Sequence, residues 1–254
     1  MRNQKLRNII FAGLLVAIGI VLSSILSISY PPNSTIIRFG IGYLPLILIS
    51  IILGPKMGLY SAIVQDILGY FVYIWVFGAP SGPFYLGFTL NSILYGVLPG
   101  LIYHLNFKDK KLFKFINYGL LGSMIALGIW GFFNIANIIL TIENRLSGEM
   151  NFSPAFVYSM LIVGWIGLVG TLIFIILHRK EDDSIHRILF SVILLQIIVG
   201  LILTPLWVSN LYGIPFWPQL PVRIIKTPIE IFIYSVLLIR IVKVLQLYIF
   251  KEQS

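Results

Sequence analysis

The chain has 254 residues, of which 58% are hydrophobic and only 11% charged, with a mean hydropathy of +0.97. Soluble domains carry about 25% charged residues, so an ordinary soluble fold is excluded. The lack of cysteine removes disulfides, thiolate metal sites and cysteine nucleophiles. Three scattered histidines (His104, His178 and His186) with no HExxH pattern give a zinc hydrolase no ligand set, and neither a metal nor a cofactor is expected.

A hydrocarbon core about 30 Å thick takes ~20 apolar residues per helix. Apolar runs lie at 9–29, 39–53, 57–77, 84–103, 115–140, 155–177, 188–209 and 228–249. They predict an all-α integral membrane protein, a polytopic bundle of about eight spans. The first run is too long for a signal-peptide core, and Ser27-Ile28-Ser29-Tyr30-Pro31-Pro32 is a poor cleavage site, so it reads as a retained span. Within it, Gly13 and Ala17 form a small-xxx-small pair that lets another helix approach closely; Gly96 and Gly100 repeat the spacing in the fourth run. The second run is short and carries Pro45, which predicts a helix that bends or leans on its neighbours. The longest hydrophilic connections, 105–114, 141–154, 178–187 and 210–222, read as loops. There is no P-loop: Gly54-Pro55-Lys56-Met57-Gly58 lacks the spacing and the Lys-Ser/Thr pair, so an ATPase driving this protein would be a separate chain.

The net charge of +9 is a matter of topology rather than nucleic-acid affinity. With the N-terminus inside, fourteen of the 18 Lys and Arg residues fall on the cytoplasmic side of eight spans. Arg38, Arg145, Arg223 and Lys226 are left outside. The expected protein is therefore a multi-pass cell-membrane protein with both termini cytoplasmic.

Ionisable groups inside a bilayer are costly and mark functional sites. Asp66 lies in the middle of the third run, and Glu230 is the other carboxylate well inside a run. Asp66 reads either as an acceptor for a ligand's N–H groups or as a structural carboxylate bonded to neighbouring hydroxyls or paired with a basic residue. Arg223, Lys226 and Glu230, spaced three and four apart, share one helix face, where Lys226 and Glu230 can pair. This last helix is expected to open near Pro221, with Pro228 in its first turn. Cations on the side that the positive-inside rule depletes, Arg38 among them, point to an anion captured from outside; the plainer reading is snorkelling. Tyr70, Phe71, Tyr73, Trp75, Phe77, Phe84 and Tyr85 flank one expected outer loop, and Trp207, Tyr212, Phe216 and Trp217 another. They fit an interfacial aromatic belt or a stacking pocket for a planar ligand.

These residues together resemble the substrate-binding S components of energy-coupling-factor (ECF) vitamin transporters, folate-type branch. The likeness rests on Arg38-Phe-Gly-Ile-Gly-Tyr-Leu-Pro45, Ile51-Ile-Leu-Gly54-Pro55-Lys-Met-Gly58, Asp66-Ile-Leu-Gly69, Gly87-Phe-Thr-Leu90, Arg223-Ile-Ile-Lys226 and Pro228-Ile-Glu230. It covers roughly 9–104 and 188–249. It implies a single membrane domain, 1–254, with a six-span core and an inserted helical pair at 110–182. It also implies a non-enzymatic subunit that captures a vitamin at the outer face and delivers it, by toppling, within a complex of one scaffold subunit and two ATPases. Gly13 and Ala17 resemble the segment by which S components dock on the scaffold. Folate is the ligand the resemblance favours. Its pterin donors suit a carboxylate such as Asp66, its rings suit aromatics, and its glutamate tail suits Arg38, Arg223 or Lys226. Tyr70 and Trp75, with Thr89 and Asn91 from the stretch after Gly87, complete the ligand-binding candidates. The loop Ser81-Gly-Pro-Phe-Tyr-Leu86 departs from the folate-type pattern, which keeps another vitamin or heterocycle open. A stand-alone proton-coupled carrier or an intramembrane enzyme are the alternatives from other classes.

Overall fold

The computed structural model describes residues 2–24, 27–30, 37–78, 82–105, 110–134, 136, 154–177 and 183–251. Helices occupy all eight apolar runs, joined among the described residues by one short hairpin. Four helices are long and apolar enough to cross a membrane: Gln4–Ser24, Pro55–Phe77, Leu86–His104 and Ser184–Tyr212. Shorter apolar helical stretches lie at Leu44–Leu53, Phe115–Trp130 and Leu161–Leu177. The chain divides into two compact units, residues 1–106 with 237–254, and residues 107–236.

In the first unit, α1 (Arg2–Ser24) buries Ala12, Leu15, Val16, Gly19 and Ile20, a stripe at helical spacing. Its other face turns Ile10, Leu14, Ile18 and Val21 outward, as lipid demands. The apolar run was expected to stay helical to residue 29. Instead α1 stops at Ser24, and β1 (Ile28–Tyr30) pairs antiparallel with β2 (Ile37–Phe39), Ser29 opposite Arg38. Alternation in Ile28-Ser29-Tyr30 is a strand period that hydropathy alone does not register.

The helix α2 (Leu44–Leu53) is buried from Leu44 through Ile51. Pro45 sits in its first turn, where a missing N–H is harmless, so the run is not bent by proline; it is short and enclosed by neighbours. These neighbours are α3 (Pro55–Phe77) and α4 (Leu86–His104). Gly58 and Gly96 bring the two backbones together so closely that a Cβ on either would meet the other's carbonyl oxygen. Next to it, Pro99 interrupts the α4 ladder, and the Ser50 hydroxyl accepts from the Gly100 N–H at 2.8 Å.

The second unit holds α5 (Lys110–Phe133), α6 (Pro154–Leu177) and α7 (Asp183–Leu195). A π-helical stretch, Gln196–Leu203, then leads into α8 (Thr204–Tyr212). The ring of Pro205 would crowd the carbonyl four residues back, and the wider turns before it relieve this. The Thr204 hydroxyl donates to Val199 O at 2.7 Å. The last helix, α9 (Phe216–Lys251), passes through much of the expected loop 210–222, leaving only 213–215 between helices. Pro228 is therefore a helix-interior proline rather than a first-turn one. Beside it, the Thr227 hydroxyl donates to Arg223 O at 2.7 Å, and Gly167 of α6 packs against the Pro228 carbonyl. The starts of α5 and α7 likewise fall inside the expected loops 105–114 and 178–187, because polar residues extend an apolar helix past its hydrophobic run.

Candidate functional site

Asp66 sits midway along α3, half-buried against α4. The Thr89 hydroxyl donates to one carboxylate oxygen at 2.6 Å, and the single Ser92 hydroxyl proton is shared between the other carboxylate oxygen and Phe88 O, each at 3.2 Å. The hydroxyl-bonded arrangement anticipated for a structural carboxylate is thus present. It does not exhaust Asp66: an ionised carboxylate has about four acceptor positions, and the two hydroxyls fill one on each oxygen. One position per oxygen remains for a paired donor. Next in sequence, Gln65 is buried and donates to Gly42 O at 3.0 Å, which fastens the start of α2 beside this point.

Helical periodicity sorts the aromatic candidates. Tyr70 is one turn above Asp66 on the same face, its ring edge-on to Phe84 at 5.4 Å between centroids. Tyr73 and Phe77 continue that face, with centroids 4.6 Å apart. Trp75, nine residues from Asp66, lies about 180° away around the helix and is 85% exposed, so it is not brought to the carboxylate. On α4, Thr89 and Ser92 share the face toward Asp66, while Asn91 is buried about 200° around from Thr89. Ser92 completes the cluster without having been singled out, and Tyr73, named above only among the aromatics, lies on the same face as Asp66. The i, i+3 spacing from Thr89 and the i, i+7 spacing from Asp66 are the signals that mark them.

Arg38 occupies the middle of β2. Gly13 and Ala17 lie on the exposed face of α1, and a Cβ built on Gly13 would meet nothing within 4 Å.

In the second unit, Arg223 and Lys226 are 3% and 6% exposed. Their heads do not reach out as snorkelling side chains do. Lys226 Nζ pairs with Glu230 Oε1 at 2.9 Å, the pairing expected from their spacing. Arg223 Nη2 donates to Gln219 Oε1 at 3.4 Å. Among the described residues, this helix face gathers Arg223, Lys226 and Glu230. A separate groove of about 520 Å³ on α5 and α6, lined by Phe132, Leu161, Trp165 and Val169 among others, lacks charged groups to orient a polar heterocycle.

A curated relative, the folate transporter FolT of Clostridium novyi, is 27% identical over 101 residues. That stretch is 40% of this chain and 53% of the relative, so the chain spans about half the length of the protein it matches. A family profile described as "ECF transporter, substrate-specific component" matches residues 7–178, which hold Asp66, Thr89, Ser92 and the exposed face of α1. The match covers well over half of the sequence: this multi-pass membrane chain belongs to the family of substrate-specific components of ECF transporters.

Proposed function

We propose that the chain is the high-affinity vitamin-binding subunit of an ATP-driven ECF importer, with folate as its ligand. It captures the ligand at the outer face of the cell membrane and delivers it with a scaffold subunit and two ATPase subunits, both of its termini facing the cytoplasm. The observation that carries the reading is Asp66, a carboxylate in a membrane helix with one acceptor position left on each oxygen. A pterin's adjacent ring N–H and amino group match that pair of positions, and Tyr70 supplies a nearby ring for its flat bicycle. For the anionic tail, the candidates are Arg38, Arg223 and Lys226. The relative named a folate transporter supports the branch.

Residues 110–182 are proposed as a helical pair inserted into a six-span core, and the exposed face of α1 around Gly13 and Ala17 as the dock for the scaffold. Glu230 is engaged by Lys226, which makes it a poor proton site for a stand-alone carrier. The test is uptake of labelled folate into liposomes. Accumulation is expected only when the chain is reconstituted with scaffold and ATPases and supplied with ATP. Accumulation by the chain alone, driven by a proton gradient, would replace the importer with a carrier.

A further inference from the structure

Gln65 precedes Asp66 on α3 and points about 100° away from it around the helix. It is 5% exposed. Two glycines make room for it. A Cβ on Gly19 of α1 would land on the Gln65 amide, and a Cβ on Gly42, ahead of α2, would meet Ser23 of α1. In that space Gln65 Nε2 donates to Gly42 O at 3.0 Å. The next residue, Tyr43, lays its ring on that of Tyr95 of α4, with centroids 4.3 Å apart and the planes 3° from parallel. Tyr95 lies three positions beyond Ser92, whose hydroxyl leads back to Asp66. These contacts close a circuit within the first unit: from residue 65, through the start of α2 and across α4, to residue 66.

Packing alone accounts poorly for an amide here. Gln65 Oε1 is buried with no hydrogen-bond partner among the described residues, so the side chain bears a desolvation cost that an apolar one would not. Folds keep half-satisfied polar groups chiefly where function needs them. We infer that Gln65 is the positioning residue for Asp66: its amide fixes the roll of α3 against α1 and the start of α2, and the circuit through Tyr43 and Tyr95 presents the carboxylate to the ligand at one angle. The inference rests on the reading that Asp66 binds the ligand. Methionine at 65 would keep the volume and remove the bond to Gly42. Leucine at 43 would break the same circuit at the ring pair.

The experiment measures folate affinity of the purified full chain for wild type, Gln65→Met and Tyr43→Leu, each with Asp66 intact and with Asp66→Asn. Hydrogen–deuterium exchange over residues 40–48 is followed in the same proteins without ligand. With Asp66 intact, each variant is expected to lose about tenfold in affinity. On the Asp66→Asn background the loss should fall below about twofold, because misalignment then has no carboxylate to act on. Both variants should speed exchange. Tyr43 is only half-buried, so Tyr43→Leu carries the test if Gln65→Met does not fold. Equal losses on the two backgrounds overturn the positioning role, and unchanged exchange removes the circuit. Asp66→Asn alone binding as wild type does would instead overturn the reading of Asp66. A wild type that binds no folate overturns the folate reading, and exchange still decides the circuit.

Discussion

Thr89 and Ser92 each donate one hydroxyl to Asp66, so the carboxylate is oriented before any ligand arrives. Asp66→Asn keeps the shape but removes the charge and one acceptor. It should weaken folate binding by about 1–3 kcal/mol, the scale for a hydrogen bond to a charged group. Calorimetry on the folded variant checks this, and unchanged affinity would leave Asp66 a purely structural carboxylate. Replacing both Arg223 and Lys226 by glutamine should lower affinity for folate more than for an uncharged analogue. Equal effects on the two would show that the buried cations serve packing alone. At this scale the sequence is readable wherever one helix carries both partners, as Lys226 and Glu230 do. It is unreadable where partners meet across helices. The hydroxyl of Ser92 is 26 residues from Asp66, and only the rotation of α4 against α3 brings it there. Trp75 illustrates the converse: its place on the far side of α3 follows from 3.6-residue periodicity, yet its closeness in sequence invites grouping it with Tyr70.

The helices themselves follow from hydropathy, since the backbone of a lipid-embedded chain must satisfy its own hydrogen bonds. Their ends do not. Pro218 and Pro221 make 210–222 look like a loop, but α9 starts at Phe216 and runs through both. Pro218, in the first turn, lacks only an N–H that would be orphaned there, whereas Pro221, the sixth helical residue, costs the helix one ladder hydrogen bond. Close packing of elements is where small residues matter. Gly96→Val would drive methyl groups into the Gly58 carbonyl and Ala62 of α3, and should destabilise the chain by about 1–3 kcal/mol, read as a lowered melting temperature in detergent. An unshifted melt would mean that α3 and α4 can part without cost. Gly13→Leu is the contrasting case, because nothing in the chain lies within 4 Å of a Cβ there. It should leave melting and ligand affinity intact while impairing association with a scaffold subunit. Co-purification at the wild-type level would show that this face is not the dock.

For the molecule as a whole, hydropathy and family agree on a multi-pass membrane chain, and the positive-inside rule leads us to expect most of its cations on the cytoplasmic side. Because the chain contains no cysteine, single cysteines can be placed on a native background. Positions 3 and 110 should label only in permeabilised cells and position 82 in intact ones; labelling of position 110 from outside would invert the topology. A ligand's identity is far less legible than this frame, since it depends on which side chains converge, and two binders of one architecture can differ in a few of them. Folate recognition is open to a direct check by tryptophan quenching in purified protein. The chain has 5 tryptophans to report occupancy, and folate would be titrated beside thiamin, riboflavin and pantothenate. Tight, saturable quenching by folate alone is the expected result. Protein shown to be folded that responds to another vitamin, or to none, would contradict it.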